Sequence, residues 1–153
     1  MPSDNCRDIL IVDDSNEIRS LLNEILSDAG YHVRICTDAS EACWAIESKH
    51  PNFVISSWQM PDMDGFELCK WVRQCDRDGY LYFILIADYG GRFSRAKTGV
   101  DDFVSIPVDR DELLESVRRG EEVLELERRL RTPALNAQMQ NIQSQNVSAQ
   151  NAH

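Results

Sequence analysis

The sequence is poor in several features that would point to a class of protein. It has no run approaching the roughly 18–20 apolar residues that a bilayer-crossing helix needs, which excludes a helical membrane span. Its amino terminus, MPSDNCRD, is polar and lacks the basic-then-apolar order of a secretory signal. Basic residues are scarce, 16 against 26 acidic ones, leaving a formal charge of −10. A surface of that sign repels phosphate backbones, so direct binding of nucleic acid is not expected. The five cysteines (Cys6, Cys36, Cys43, Cys69, Cys75) are odd in number and never spaced C-x-x-C, which excludes a disulfide framework and a thiolate zinc site. They read as reduced thiols of a cytoplasmic protein, most of them buried. No Ser–His or Cys–His pairing and no phosphate-cradling glycine loop is present, so the chain is not expected to be an enzyme.

What remains is globular. Apolar residues make up 42% of 153 and charged residues 27%, enough for one ordinary domain and too little chain for two sizeable ones. Ile9 to Val12 is an unbroken aliphatic run ending at Asp13-Asp14, the pattern of a strand covered on both faces. Ile18, Leu21, Leu22, Ile25 and Leu26 then form the stripe of an amphipathic helix, with Gly30 placed for a left-handed cap. A strand over 31–36 follows, then a helix opened by Asp38 with Glu41 three residues on. Strands over 53–57, 81–86 and 103–106 alternate with helices over 66–75, between the fourth and fifth strands, and after Asp109 and Glu112.

Strand and helix alternating five times predict an α/β fold, a five-stranded doubly wound parallel sheet with helices on both faces. In such sheets sites form beyond the carboxyl ends of the strands, so the residues that close them are the candidates. These are Asp13 and Asp14, Ser57, Ala87 and Ile106. The α/β domain is expected over residues 5–120. Residues 121–153 form a charged helical extension followed by a polar tail rich in Asn, Gln and Ser. Val123, Leu126 and Leu130 lie on one seam of that helix, a spacing that suits a contact with a second copy.

The acidic pair Asp13-Asp14, the MPDMDG loop, Val100-Asp101-Asp102-Phe103 and Pro107 together resemble the receiver domain of bacterial response regulators over about residues 5–120. The segment GEEVLELERRLR is similar to the linker joining some receivers to a diguanylate cyclase. The resemblance implies a flavodoxin-like fold and phosphoryl transfer from a histidine kinase onto an aspartate ending the third strand. It also implies Mg²⁺ held by that aspartate and the acidic pair, a Thr or Ser ending the fourth strand, and a Lys before the proline of the fifth. On those positions this chain carries Asp13 and Asp14, but Ser57 for the acceptor, Ala87 for the hydroxyl and Ile106 for the lysine. The family pocket balances three aspartates against one lysine. Here two aspartates stand without a cation, so acceptor and lysine are lost together and the net charge is kept.

The expectation is therefore a degenerate receiver, a pseudo-receiver acting in two-component signalling by protein contact. Its partners would be a histidine kinase or another signalling protein, and a second copy through the fifth helix and its extension. No cofactor is required, and Asp13 and Asp14 are at most a weak Mg²⁺ site. The alternative is a Mg²⁺-dependent phosphoacceptor using Ser57 or a nearby carboxylate, Asp62, Asp64 or Asp88. Asp14, with Glu17 one turn on, also reads as a plain helix cap. Phe103 falls on the family's aromatic switch position, yet it lacks a hydroxyl and reads first as core. Trp44 and Trp71 read as packing residues, the three histidines as surface or strand residues, and Arg92, Arg95 and Lys97 as a solvated basic loop.

Overall fold

The computed structural model describes residues 7–87 and 99–131. The element order is β1 (Asp8–Val12), α1 (Asn16–Asp28), β2 (His32–Cys36), α2 (Ala39–Lys49), β3 (Phe53–Ser57), α3 (Gly65–Gln74), β4 (Tyr82–Ala87), β5 (Asp102–Ser105) and α4 (Arg110–Arg131). The helix expected between the fourth and fifth strands, the basic cluster at Arg92, Arg95 and Lys97, the carboxylate of Asp88 and the polar tail lie outside the described residues. The strands form one parallel sheet in the order β2-β1-β3-β4-β5. This is the flavodoxin-like arrangement, with the strand order reversing between β1 and β3.

Two-residue periodicity sorts the core into two layers. Ile9 and Ile11 of β1, with Phe53, Ile55 and Ile84, face Leu22 and Leu26 of α1 and Leu113 and Val117 of α4. Leu10 and Val12, with Val54, Phe83 and Leu85, face Ala42 of α2 and Leu68 and Cys69 of α3. Burial on both faces is why these strands read as continuous aliphatic runs rather than alternating ones.

Most helix starts follow the sequence signals. Asp38 accepts from the Glu41 amide and Asp109 from the Glu112 amide. Glu41 reaches the Thr37 amide at 2.8 Å instead of closing a box on Asp38. The full reciprocal box is at Asp64 and Glu67, where α3 begins. Gly30 sits just past α1 at φ +96°, as its position implied. Two readings need correction. The cap of α1 is Ser15, whose Oγ accepts from the Ile18 amide, so Asp14 does not cap. Trp44 is 63% exposed, its ring beside the Lys49 ammonium, while Trp71 packs partly into the core as expected.

The boundary drawn after residue 120 falls within α4, which runs on without a break. Gly120 lies so close to the sheet that a Cβ would stand 2.4 Å from Phe53 Cε2 and 2.6 Å from Tyr82 Cδ2. One turn later Leu124 is still buried, and Glu121 accepts from the Tyr31 hydroxyl at 3.0 Å. The first part of the extension is thus packed on the domain. Leu126 and Leu130, 59% and 65% exposed, turn outward beside it.

Candidate functional site

Parallel register carries the sequence candidates to one end of the sheet. Val12 pairs with Ser56, so Asp13 and Ser57 stand side by side at the tips of β1 and β3, the switch point of the strand order. Ser57 pairs with Ile86, which leaves Ala87 one residue further out on β4. Ala87 pairs with Ser105, and Ile106 follows directly, 36% exposed, joined to Pro107 by a cis peptide bond. The fifth strand therefore ends one residue before Ile106. Adjacent strands are about 4.8 Å apart, so these residues span the tips of four neighbouring strands.

The two aspartates differ in environment. Asp13 is 2% exposed; one carboxylate oxygen accepts from the Ser15 amide at 2.8 Å, and Oδ2 is buried with no hydrogen-bond partner among the described residues. Burial pushes its carboxyl above the ordinary carboxylate range. The Ser15 amide opposes that shift, the charge of Asp14 adds to it and that of Arg19 opposes it. Asp14 is exposed. Ser57 Oγ donates to the Gln59 carbonyl at 3.1 Å, so its proton is held by the loop backbone rather than by a base.

The loop after β3 is clamped against the strand tip. The Gly65 amide donates to the Trp58 carbonyl at 2.7 Å, and a Cβ on Gly65 would meet the Ser57 carbonyl oxygen at 2.4 Å. Only glycine allows that approach. The loop's own carboxylates serve structure. Asp62 accepts from the Ala39 and Ser40 amides and the Ser40 hydroxyl, and Asp64 caps α3. Burial pushes the Asp62 carboxyl up, but the Ser40 and Ala39 donors together outweigh it and hold the group below its ordinary value.

Mg²⁺ is the cation that such oxygen donors would meet. The ion wants near-octahedral oxygen ligands and takes one or two carboxylates together with phosphate oxygens. Here there are one exposed and one desolvated carboxylate beside a hydroxyl. Among the described residues no three His, Cys, Asp or Glu side chains converge where a cation could sit.

Phe103 is buried in the layer beneath α2 and α3. Its ring centroid is 6.4 Å from that of Phe66, which in turn meets Trp58 edge-on at 6.5 Å. The described cysteines are free, and burial lifts the Cys36 thiol to about 12 and Cys69 to about 11, which keeps them protonated. His32 bonds Asp8 across the β1–β2 pair at 3.0 Å, a contact that its sequence position did not signal.

Sequence reasoning also missed the anchors behind Val100-Asp101-Asp102-Phe103. Asp101 accepts from Arg73 (2.8 Å), the Tyr80 hydroxyl (2.7 Å) and the Phe83 amide (2.7 Å). Asp102 is buried and accepts from Ser116 Oγ (2.7 Å), Arg119 (2.6 Å) and the Phe103 amide (2.9 Å). Burial works against the Asp102 anion, but those donors outweigh it and hold its carboxyl below the usual range. The pair thus ties the entry of β5 to α3 and α4. Two adjacent acids opening a strand, with Ser and Arg three residues apart on the next helix, are the only signal the sequence offered.

Comparison with known proteins places the chain among regulators. The family model described as the response regulator receiver domain matches residues 9–118. The transcriptional regulatory protein GltR of Pseudomonas aeruginosa is 34% identical over 119 residues, covering 76% of this chain and 49% of GltR, so the chain spans about half of that protein. An uncharacterized 14.6 kDa protein of the sodA1 3′ region of Leptolyngbya boryana is 36% identical, covering 73% of this chain and 88% of the relative. Among solved structures, a putative response regulator from Chloroflexus aurantiacus J-10-fl superposes with a TM-score of 0.71 at 28% identity, covering 76% and 98% of the two chains.

Proposed function

Since the chain belongs to the response regulator receiver domain family, a module of two-component signalling, we propose that it acts without an aspartyl phosphate, by protein contact alone. The observation that carries this reading is Ser57 at the tip of β3, with Ala87 and Ile106 on the neighbouring tips. Position 57 has no carboxylate to form an acyl phosphate, position 87 no hydroxyl to bind it and position 106 no ammonium to pair with it. Ser57 itself is a weak nucleophile whose proton goes to a carbonyl. Phe103, packed against Phe66, serves as core rather than as a relay.

Mg²⁺ is not required, and Asp13 with Asp14 binds it no more tightly than the millimolar range. The partner is a histidine kinase or another signalling protein, met on the β5–α4 side. A second copy is met through the outward seam of α4, where Leu126 and Leu130 are exposed. Nucleic acid is not a ligand of this acidic chain.

The test is incubation with phosphoramidate and Mg²⁺ followed by intact mass. The wild-type chain is expected to stay unchanged, while Ser57→Asp combined with Ala87→Thr and Ile106→Lys gains one alkali-labile phosphoryl group. A phosphoryl group on the wild-type chain that disappears in Ser57→Ala would overturn the reading.

A further inference from the structure

Helix α4 carries two apolar faces. One, with Leu113, Val117 and Leu124, is buried against the sheet. The other, with Val123, Leu126 and Leu130, is exposed, its members spaced by three and then four residues. Those spacings are successive a, d and a positions of a heptad, and Arg119 stands at the d position before them. The seam is short. Ser116, one a position further back, is buried and donates to Asp102, while the d position after Leu130 is Pro133 in the sequence.

The charges beside the seam decide how a second copy can lie on it. Glu122 and Arg129, both exposed, are g positions and Glu127 is an e position. In a parallel pair g faces e, so Glu122 meets Glu127 of the other copy on both sides, and Arg119 meets Arg119. In an antiparallel pair g faces g. With Val123 against Leu126 of the other copy, Glu122 then meets Arg129 on both sides. Leu130 lies along the aliphatic stem of Arg119, whose guanidinium is held by Asp102. Sliding by one heptad either way would set Arg129 against Arg129 or Glu122 against Glu122. Arg129 also holds Glu125 of its own helix at 3.3 Å, which keeps its guanidinium beside the seam.

On the premise that a second copy covers this seam, we propose that the two copies pair α4 antiparallel, Val123 of each against Leu126 of the other and Glu122 of each beside Arg129 of the other. The body of each domain packs on α4 as far as Leu124, so this arrangement holds the two bodies at opposite ends of the pair. A parallel arrangement would set two chains of charge −10 side by side. The paired segment, residues 119–130, spans about 17 Å of helix. Such a contact is smaller than a standard interface, so the dimer is weak, with a dissociation constant on the order of 100 μM.

The experiment is sedimentation equilibrium of the full chain across about 10 μM to about 1 mM, at low ionic strength in reducing buffer. Leu126→Ser is expected to leave a monomer. Glu122→Arg and Arg129→Glu, both at exposed positions, should each weaken the dimer about tenfold, since two exposed pairs turn from attraction to repulsion. Mixed in equal amounts, the two variants should associate more tightly than either alone, because the mixed dimer restores both Glu–Arg contacts. Fraying of α4 cannot produce that gain, as it would weaken the mixture too. A Glu122→Arg chain that dimerises more tightly, as its contact with Glu127 in a parallel pair would make it, overturns the antiparallel arrangement while leaving the seam as the interface. So does the absence of a gain on mixing. A wild-type chain that stays monomeric throughout, or a dimer indifferent to Leu126→Ser, overturns the premise itself and leaves the seam to a different partner.

Discussion

Asp13→Asn should make this protein more stable at neutral pH. The wild-type side chain buries a carboxylate with Oδ2 unpartnered, and burial raises its pKa above the ordinary 3.8. Asparagine leaves its Nδ2 equally buried in the place of Oδ2, so what it relieves is the added cost of burying a charge there, about 2–3 kcal/mol. Against this, asparagine keeps the acceptor for the Ser15 amide but loses the charge that strengthens that bond, worth about 1 kcal/mol. It also loses the attraction of the half-exposed Arg19, worth under about 1 kcal/mol. The net gain is about 1 kcal/mol. With an m-value of about 1–2 kcal/mol/M, the urea midpoint rises by about 0.5–1 M.

The pH dependence has a definite sign. A carboxyl whose folded pKa exceeds its unfolded one burdens the fold above the folded value and not below the unfolded one. The advantage of asparagine is therefore full near pH 7 and fades as pH falls toward 3.8 and below. Urea titrations of both chains at pH 7 and pH 3.5 measure it. A destabilised variant at pH 7, or a gain that survives unchanged at pH 3.5, would show that Asp13 is paired by something the described residues do not include.

Two further outcomes test how β5 and α4 are held. Asp102→Asn should cost about 2 kcal/mol at pH 7, since the charge-assisted bonds to Ser116 and Arg119 weaken, and about half of Arg119 is exposed and can rehydrate. Here the folded pKa is lowered, so the loss is present above the unfolded pKa and shrinks as pH falls through the folded value; urea midpoints from pH 7 to pH 3 measure it. Gly120→Ala pits helix propensity, a gain of about 1 kcal/mol, against a methyl group 2.4 Å from Phe53, an overpacking cost of about 1–3 kcal/mol. Phe53 and Tyr82 are buried and set edge to face at 5.7 Å, leaving the rings little room to move. Sterics should win, with the melting temperature falling by several degrees; a rise would mean that α4 can lift off the sheet.

The legible parts of this molecule are those with a period or a local partner. Ile9 to Val12 and Phe53 to Ser57 are recognisable because a strand covered on both faces has no polar positions to spare. Asp38, Asp109 and Gly30 are recognisable because a cap needs only neighbours in the chain. Leu21 and Trp44 show the limit: both lie on helices at plausible core positions, yet they are 40% and 63% exposed, since the sheet covers only part of each helix.

The order of strands and helices, and the placing of Ser57, Ala87 and Ile106 at strand ends, follow from the sequence alone, because parallel pairing brings every strand's carboxyl end to the same side. The tertiary structure decided which charges are satisfied. Among the described residues Asp13 Oδ2 has no partner while Asp14 next to it is exposed; Asp102 finds Ser116 and Arg119; Arg77 Nε and Nη1 are buried without an acceptor. Each of these depends on which distant segments meet around a side chain, and the energy of a buried charge is set by those surroundings rather than by its neighbours in the chain.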